Sequence, residues 1–376
     1  MKCLHICNDF FGSKVHKNLY HNLNDFGLEQ TIFYPSRVEH SKKLQQADYN
    51  KGIHLIKSKP IKKKHRIFFR NKLRFLYAEL LKKTDPTNFD IVHATTLFSD
   101  GALAYRIFKD YGLPYVVAVR GTDVGAFLKY RPDLAFLAYK ILNSASKIVF
   151  ISDSLMKNLY EHWTARTLNM NFKIKNKVIY NGVDGFWLNN RSPKKNLAPY
   201  KIVYIGNFSE NKNTLKLIES VLQLRKKHPQ MQINLIGTGG GQEKKIKELA
   251  ENNKDIINYH GAIYDQVLLK ELIKDNHIFA MVSISETFGL VYLEALSQGL
   301  PVLYSAGRGI DGVLPQSIGE GVEPKSKESI IQGLEKIINN YDSYELQKID
   351  FTQFSWKTIG QTYFNLYESI LKSDLN

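Results

Sequence analysis

Ser283-Ile284-Ser285-Glu286-Thr287-Phe288-Gly289-Leu290-Val291-Tyr292-Leu293-Glu294-Ala295-Leu296-Ser297-Gln298-Gly299-Leu300-Pro301-Val302 opens just after the apolar segment Ile278–Val282 and closes on another, Val302 to Tyr304. Its order is strand, loop, helix, strand, with Gly299 and Pro301 stopping the helix. Glu286 stands in the loop. Glu294 stands inside the helix, whose side chains tilt back toward its N-terminus, so both carboxylates can face one cleft. Charge-assisted bonds from hydroxyls to carboxylates contribute about 1.5–3 kcal/mol each, enough to orient a polyhydroxylated ligand. The N–H groups of Phe288, Gly289 and Leu290 lie at the helix start, where the positive dipole end and missing intrahelical acceptors suit a diphosphate. Gly289 allows the chain to approach such a ligand closely.

The same alternation runs along the whole chain. Short apolar runs at Cys3–Cys7, Gln30–Tyr34, Ile91–Ala94, Tyr115–Val119, Ile148–Ile151, Lys201–Ile205 and Gln232–Ile236 are separated by amphipathic stretches. This pattern predicts an α/β chain of parallel sheets covered by helices on both faces, with ligands beyond the carboxyl ends of the strands. A length of 376 residues predicts two such units. The turn-rich segment Asn189–Asn196 reads as their linker, and a new sheet begins at Tyr200. From Trp356 to Leu371 the residues Trp356, Ile359, Tyr363, Leu366, Tyr367 and Ile370 recur at helical spacing and read as core.

Hydrophobic residues at 43% and charged residues at 23% exclude a disordered chain. Lys and Arg exceed Asp and Glu by 52 to 36, a formal charge of +16, which points to an anionic partner: a phosphorylated substrate, a membrane surface or nucleic acid. Cys3 and Cys7, four apart in one apolar run, read as buried small hydrophobes. The apolar residues after Met1 and Lys2 are too few for a secretory signal, and no stretch reaches the span of a membrane helix, so a cytoplasmic protein is expected. Residues 57–83 mix Lys and Arg with Ile67, Phe68, Phe69, Phe75, Leu76 and Tyr77. Two readings stand: a basic amphipathic helix lying on an anionic bilayer, or a surface helix with its aromatic face in the core.

The two glutamates, with seven residues between them in Glu-Thr-Phe-Gly-Leu-Val-Tyr-Leu-Glu-Ala-Leu-Ser-Gln-Gly-Leu-Pro-Val, resemble the signature of glycosyltransferase family 4, the retaining enzymes of GT-B fold. The resemblance implies two Rossmann-like domains facing across a cleft. An acceptor-side domain of residues 1–190 would be completed by a helix at 356–376, and a donor domain would span 197–355. It also implies that Glu286 meets the donor sugar hydroxyls, Glu294 the ribose, and the start of the helix at Phe288, Gly289 and Leu290 the diphosphate. Tyr204-Ile205-Gly206-Asn207-Phe208-Ser209-Glu210-Asn211-Lys212-Asn213 resembles the family's phosphate loop. Lys212 matches its lysine, while Asn207 replaces the usual arginine. The loop with Gly237 and the stretch His260–Ile263 resemble the nucleotide border.

In the first half, Asn8–Ser13 resembles a loop reaching toward donor phosphate and acceptor, with Gly12 its key residue. Arg120 stands where the family often has histidine. Always charged, it suits electrostatic or acceptor positioning rather than base catalysis. Asp123 either meets the acceptor, orients Arg120 or caps structure. Tyr180–Asp184 resembles the family's turn before the linker. The resemblance implies a nucleotide-diphosphate sugar as donor, with neither cofactor nor metal, while the cationic, aromatic segment 57–83 and the composition suggest a glycan or polyprenyl-linked acceptor of a bacterial surface polysaccharide. Two other readings compete. An epimerase or phosphorylase of the same fold would need no glycan acceptor or would use phosphate. A nucleic-acid-binding protein is disfavoured, because the aromatics follow helix and strand periodicity rather than forming a stacking platform.

Overall fold

The computed structural model describes residues 1–12, 14–36, 52–62, 65, 68–195, 200–315 and 317–373. It divides into two units, Met1–Gly182 with Trp356–Asn376, and Val183–Ser355.

The first unit holds β1 (Lys2–Ile6), β2 (Glu29–Tyr34), β3 (Ile53–Lys57), β4 (Ile91–Ala94), β5 (Tyr115–Val119), β6 (Lys147–Phe150) and β7 (Asn176–Val178). They form one parallel sheet in the order β3-β2-β1-β4-β5-β6-β7. Every residue of β4 and β5 is buried, as expected of parallel strands covered on both faces. The helix Trp356–Ser373 lays Ile359, Tyr363 and Tyr367 against Leu19, Tyr20 and Leu23 of the helix Lys14–Asn24. Cys3 and Cys7 are free thiols buried in that core.

The second unit holds β8 (Lys201–Ile205), β9 (Gln232–Ile236), β10 (Ile257–Gly261), β11 (Ile278–Ala280), β12 (Val302–Ser305) and β13 (Gly319–Val322), parallel in the order β10-β9-β8-β11-β12-β13. Each sheet reverses its direction of growth once, between β1 and β4 and between β8 and β11. Loops leaving such a pair diverge and open a crevice at the strand ends.

Two expectations need correction. The chain crosses between units at Gly182–Val183, inside the Tyr180–Asp184 turn, and not along Asn189–Asn196. That segment, apart from Asn196, which is outside the described residues, is fastened to the second unit. Ser192 donates its N–H to Ser297 O at 3.0 Å and its hydroxyl to Gln298 Oε1 at 2.9 Å, and Lys194 Nζ donates to Tyr341 O at 2.7 Å. The first unit therefore ends before residue 190 and the second begins before 197. Nor do residues 57–83 form one helix. β3 ends at Lys57 and the helix begins at Phe69, with Lys63, Lys64, Arg66 and Ile67 outside the described residues. Phe69, Leu76 and Tyr77 are buried, so the apolar face of this helix belongs to the core and is not open to a bilayer. Among the described residues no helix is long and apolar enough to cross a membrane.

Candidate active site

The loops after β8 and β11 are stitched together. Asn211 accepts from Ser285 N at 3.0 Å and donates Nδ2 to Ser285 O at 2.9 Å, while its own carbonyl accepts from Ile284 N at 2.8 Å. Asn213, held in the left-handed region at φ +58°, donates Nδ2 to Val282 O at 3.1 Å and Pro324 O at 2.6 Å. Between these asparagines, Lys212 Nζ meets Glu286 Oε2 at 2.7 Å, with the side chains 21% and 12% exposed. A lysine and a carboxylate are thus paired, half-buried, at the switch point of the sheet.

Glu286 is fixed from three sides. Its Oε1 accepts from Thr287 N at 3.1 Å, and its carbonyl accepts from Gly309 N at 3.2 Å. Gly309, at φ +60°, holds a left-handed conformation that strains any side chain, and a Cβ there would crowd Glu286 Cγ at 3.0 Å and Phe288 O at 3.2 Å. Gly289, at φ +79°, starts the helix Leu290–Ser297, and a Cβ there would strike the ring of Tyr292 at 2.6 Å. That ring is buried, and its hydroxyl donates to Met281 O at 2.5 Å, tying the helix back to the end of β11. Glu294 is half-buried on the same helix, and Leu290 is half-buried at its start. Phe288 turns its side chain into the core against Phe354, so only its main chain can serve a ligand.

A second layer of backbone closes beside this loop. Gly237 lies where a Cβ would come within 1.9 Å of Gly206 O, and Gly240, at φ +96°, where a Cβ would come within 2.3 Å of the Phe208 carbonyl carbon. Phe208 N donates to Gly239 O at 2.7 Å. The glycine loop is anchored by Glu243, which takes Thr238 Oγ1 at 2.9 Å, Gly239 N at 2.8 Å and Tyr259 Oη at 2.8 Å. Bonds from Lys247, then Tyr259 and Gly239, hold its carboxyl at about 2. Asn207 is exposed and accepts from Ser209 N at 3.1 Å, which makes it a turn former with Nδ2 left as a neutral donor. Ile263 is half-buried beyond β10, and His260 bonds to Asn234 Oδ1 at 2.8 Å. Sequence reasoning missed Asn211, Asn213, Glu243 and Gly309. The two asparagines flank Lys212, and that flanking was the available signal.

In the first unit, Arg120 follows β5 half-buried, its Nε donating to Thr95 O at 3.0 Å after β4. Asp123 is 1% exposed and accepts from Leu97 N at 3.0 Å and Arg120 N at 2.8 Å. Its carboxylate is committed to main-chain amides, which corrects the acceptor-contact option: Asp123 shapes the two loops instead. Gly12 closes a turn on Asp9, donating N–H to Asp9 O at 3.1 Å, with Ser13 outside the described residues. This loop is pinned by Asp100, fully buried, which accepts from Asn8 N at 3.1 Å, Thr95 Oγ1 at 2.8 Å and Thr96 Oγ1 at 3.0 Å.

Burial pushes the Asp100 carboxyl up to about 7 from the ordinary 3.8. The folded chain therefore takes up this proton at a higher pH than the unfolded chain, and its stability gains as pH falls from 7 to 4. An Asp100→Asn variant lacks that gain. The stability difference, wild type minus variant, is expected to grow by about 1.4 kcal/mol for each pH unit of acidification across this window, read from urea unfolding. A difference that is constant with pH contradicts the assignment.

Among the described residues no group of three or more His, Cys, Asp or Glu side chains is arranged to hold a metal ion. The model described as Glycosyltransferase Family 4 matches residues 13–185, and that described as Glycosyl transferases group 1 matches residues 185–349. An uncharacterized glycosyltransferase of Methanocaldococcus jannaschii is 22% identical over 348 residues, covering 84% of this chain and 85% of its own. Sucrose-phosphate synthase from Thermosynechococcus elongatus superposes with a TM-score of 0.76 at 16% identity over 99% of this chain and 100% of its own. HepE of Anabaena, solved in complex with UDP-glucose, gives 0.69 at 16% identity over 98% and 100%. Two doubly wound parallel units with this architecture are the GT-B fold, and the two family models, which together match residues 13–349, make the protein a glycosyltransferase. It belongs to glycosyltransferase family 4, as a group 1 enzyme.

Proposed function

We propose that the enzyme moves a sugar from a nucleotide-diphosphate donor to a hydroxyl of a glycan or polyprenyl-linked acceptor, with retention of anomeric configuration and in the assembly of a surface polysaccharide. The observation that carries this reading is the half-buried Lys212–Glu286 pair at the β8/β11 switch point, 2.7 Å apart. Glu286 orients the sugar hydroxyls, Glu294 the ribose, and Lys212 with the amides from Phe288 to Leu290 meets the charge that develops on the leaving diphosphate. Gly237 and Ile263 border the nucleotide, Asn207 adds a neutral donor to the phosphates, and Gly12 and Arg120 position phosphate and acceptor.

A double displacement needs a carboxylate nucleophile close to the sugar. In the first unit Asp123 accepts from Arg120 N, is 1% exposed and already bonded, and Arg120 cannot act as a base. The reading takes transfer as front-side attack within an ion pair, the leaving phosphate accepting the acceptor's proton. No metal or other cofactor enters this scheme. An acceptor presented at an anionic membrane surface agrees with the formal charge of +16.

The test has two readouts. A panel of nucleoside diphosphates and their sugars, UDP-glucose included because HepE was solved with it, is screened by thermal shift. A cognate ligand at 100 times its dissociation constant adds about 2.7 kcal/mol. Proton NMR of the product then reads the anomeric configuration. Inversion, or stabilisation by no nucleotide in the panel, rejects the proposal.

A further inference from the structure

In the first unit, a groove of about 530 Å³ runs between the helices Phe69–Leu81, Ser99–Tyr111 and Ala135–Ser144. Five exposed cations line it: Arg70 and Arg74 from the first helix, Arg106 and Lys109 from the second, and Lys140 from the third. The two carboxylates that reach it have nearer partners. Asp110 binds Tyr77 Oη at 2.7 Å and Arg106 Nε at 3.2 Å, and Asp133 binds Arg131, outside the lining, at 2.8 Å. Among the described residues, Arg70, Arg74, Lys109 and Lys140 make no salt bridge, so the groove keeps a surplus of positive charge gathered from three helices.

Aromatic rings hold part of this charge in place. Arg106 lies over Tyr77 at 4.8 Å and Lys140 over Phe136 at 4.5 Å. Phe136 is itself 57% exposed, and two further exposed rings flank the lining residues in sequence, Phe68 before Arg70 and Tyr130 before Asp133. Folding rewards neither the gathered like charges nor the bare rings. A phosphate satisfies the guanidinium groups, and rings at headgroup depth satisfy the aromatics. A soluble anion would use the cations and leave the rings in water.

We propose that this groove seats the phosphate of an anionic lipid headgroup and so docks the first unit on an anionic bilayer. The proposal rests on the reading that the acceptor is presented at a membrane, and it replaces the buried apolar face of Phe69–Leu81 with a surface that is open. It shares no residue with the Lys212–Glu286 site.

Vesicle flotation at low salt tests it, using phosphatidylcholine alone and phosphatidylcholine mixed with phosphatidylglycerol. The full chain should float with the mixed vesicles only. The fourfold variant Arg70→Gln, Arg74→Gln, Lys109→Gln, Lys140→Gln should lose at least about tenfold in partitioning, since each cation near such a surface contributes to binding. A control that removes equal charge elsewhere on the unit, Lys83→Gln, Lys157→Gln, Lys173→Gln, Lys177→Gln, should keep most of it. Equal losses in both variants, or no loss in the first, overturn the proposal. So does a wild type that is stabilised by glycerol 3-phosphate in solution yet fails to float. Stabilisation by a nucleoside diphosphate retained in the fourfold variant shows that fold and donor site survive. A wild type that floats but gains nothing from any nucleoside diphosphate keeps the docking site and rejects the function proposed above.

Discussion

Replacing Glu286 with glutamine is expected to cut sugar transfer by about a hundredfold or more while leaving the affinity for the nucleoside diphosphate unchanged or tighter. The two effects separate because Glu286 has two partners in turn. Without donor it neutralises Lys212 at 2.7 Å, and in the proposed complex it binds sugar hydroxyls. Glutamine keeps the size and a hydrogen bond but loses the charge, so the sugar is held less firmly in the transition state. Lys212, meanwhile, no longer has a carboxylate competing with the diphosphate. Calorimetric titration with the nucleoside diphosphate, beside steady-state transfer, reads both. Near-normal turnover removes Glu286 from the mechanism.

Replacing Lys212 with alanine is expected to act on both quantities in the same direction. Losing a charge-assisted contact to the diphosphate weakens its binding by about 10- to 100-fold, and losing the group that meets the developing charge lowers kcat by about 100- to 1000-fold. The variant also leaves Glu286, 12% exposed, without its cation, so a lower melting temperature should accompany the loss. Lysine matters more here than the fold's usual arrangement would suggest. Asn207, in the place where the resemblance puts an arginine, spends its Oδ1 on Ser209 N and carries no charge. Retained affinity in the alanine variant means that another group holds the diphosphate.

The strands legible in the sequence were those buried on both faces. All nine apolar runs became strands, whereas β3, β7, β10 and β13 do not appear among those runs, and these four are the edges of the two sheets. An edge strand has one neighbour and less cover, so its burial is broken, as in Asn176–Val178, where no residue is fully buried. The linker reading failed for a related reason: turn-forming residues mark irregular backbone without saying what it packs on, and Ser192 and Lys194 are held by groups more than a hundred residues away. Within the site, the residue types of Glu286, Glu294 and Lys212 carried their chemistry in local spacing. What brings Lys212 to Glu286 is the crossing of two loops through Asn211 and Asn213, a contact over 74 positions that no local pattern records.

A crystal structure with a bound nucleotide-diphosphate sugar tests the central claim most directly. The sugar hydroxyls are expected on Glu286, the diphosphate on Lys212 Nζ and on the amides that open the helix Leu290–Ser297, and the Lys212–Glu286 contact lengthened or shared with the ligand. A donor lodged away from the β8/β11 loops, with that pair still closed at 2.7 Å, contradicts it.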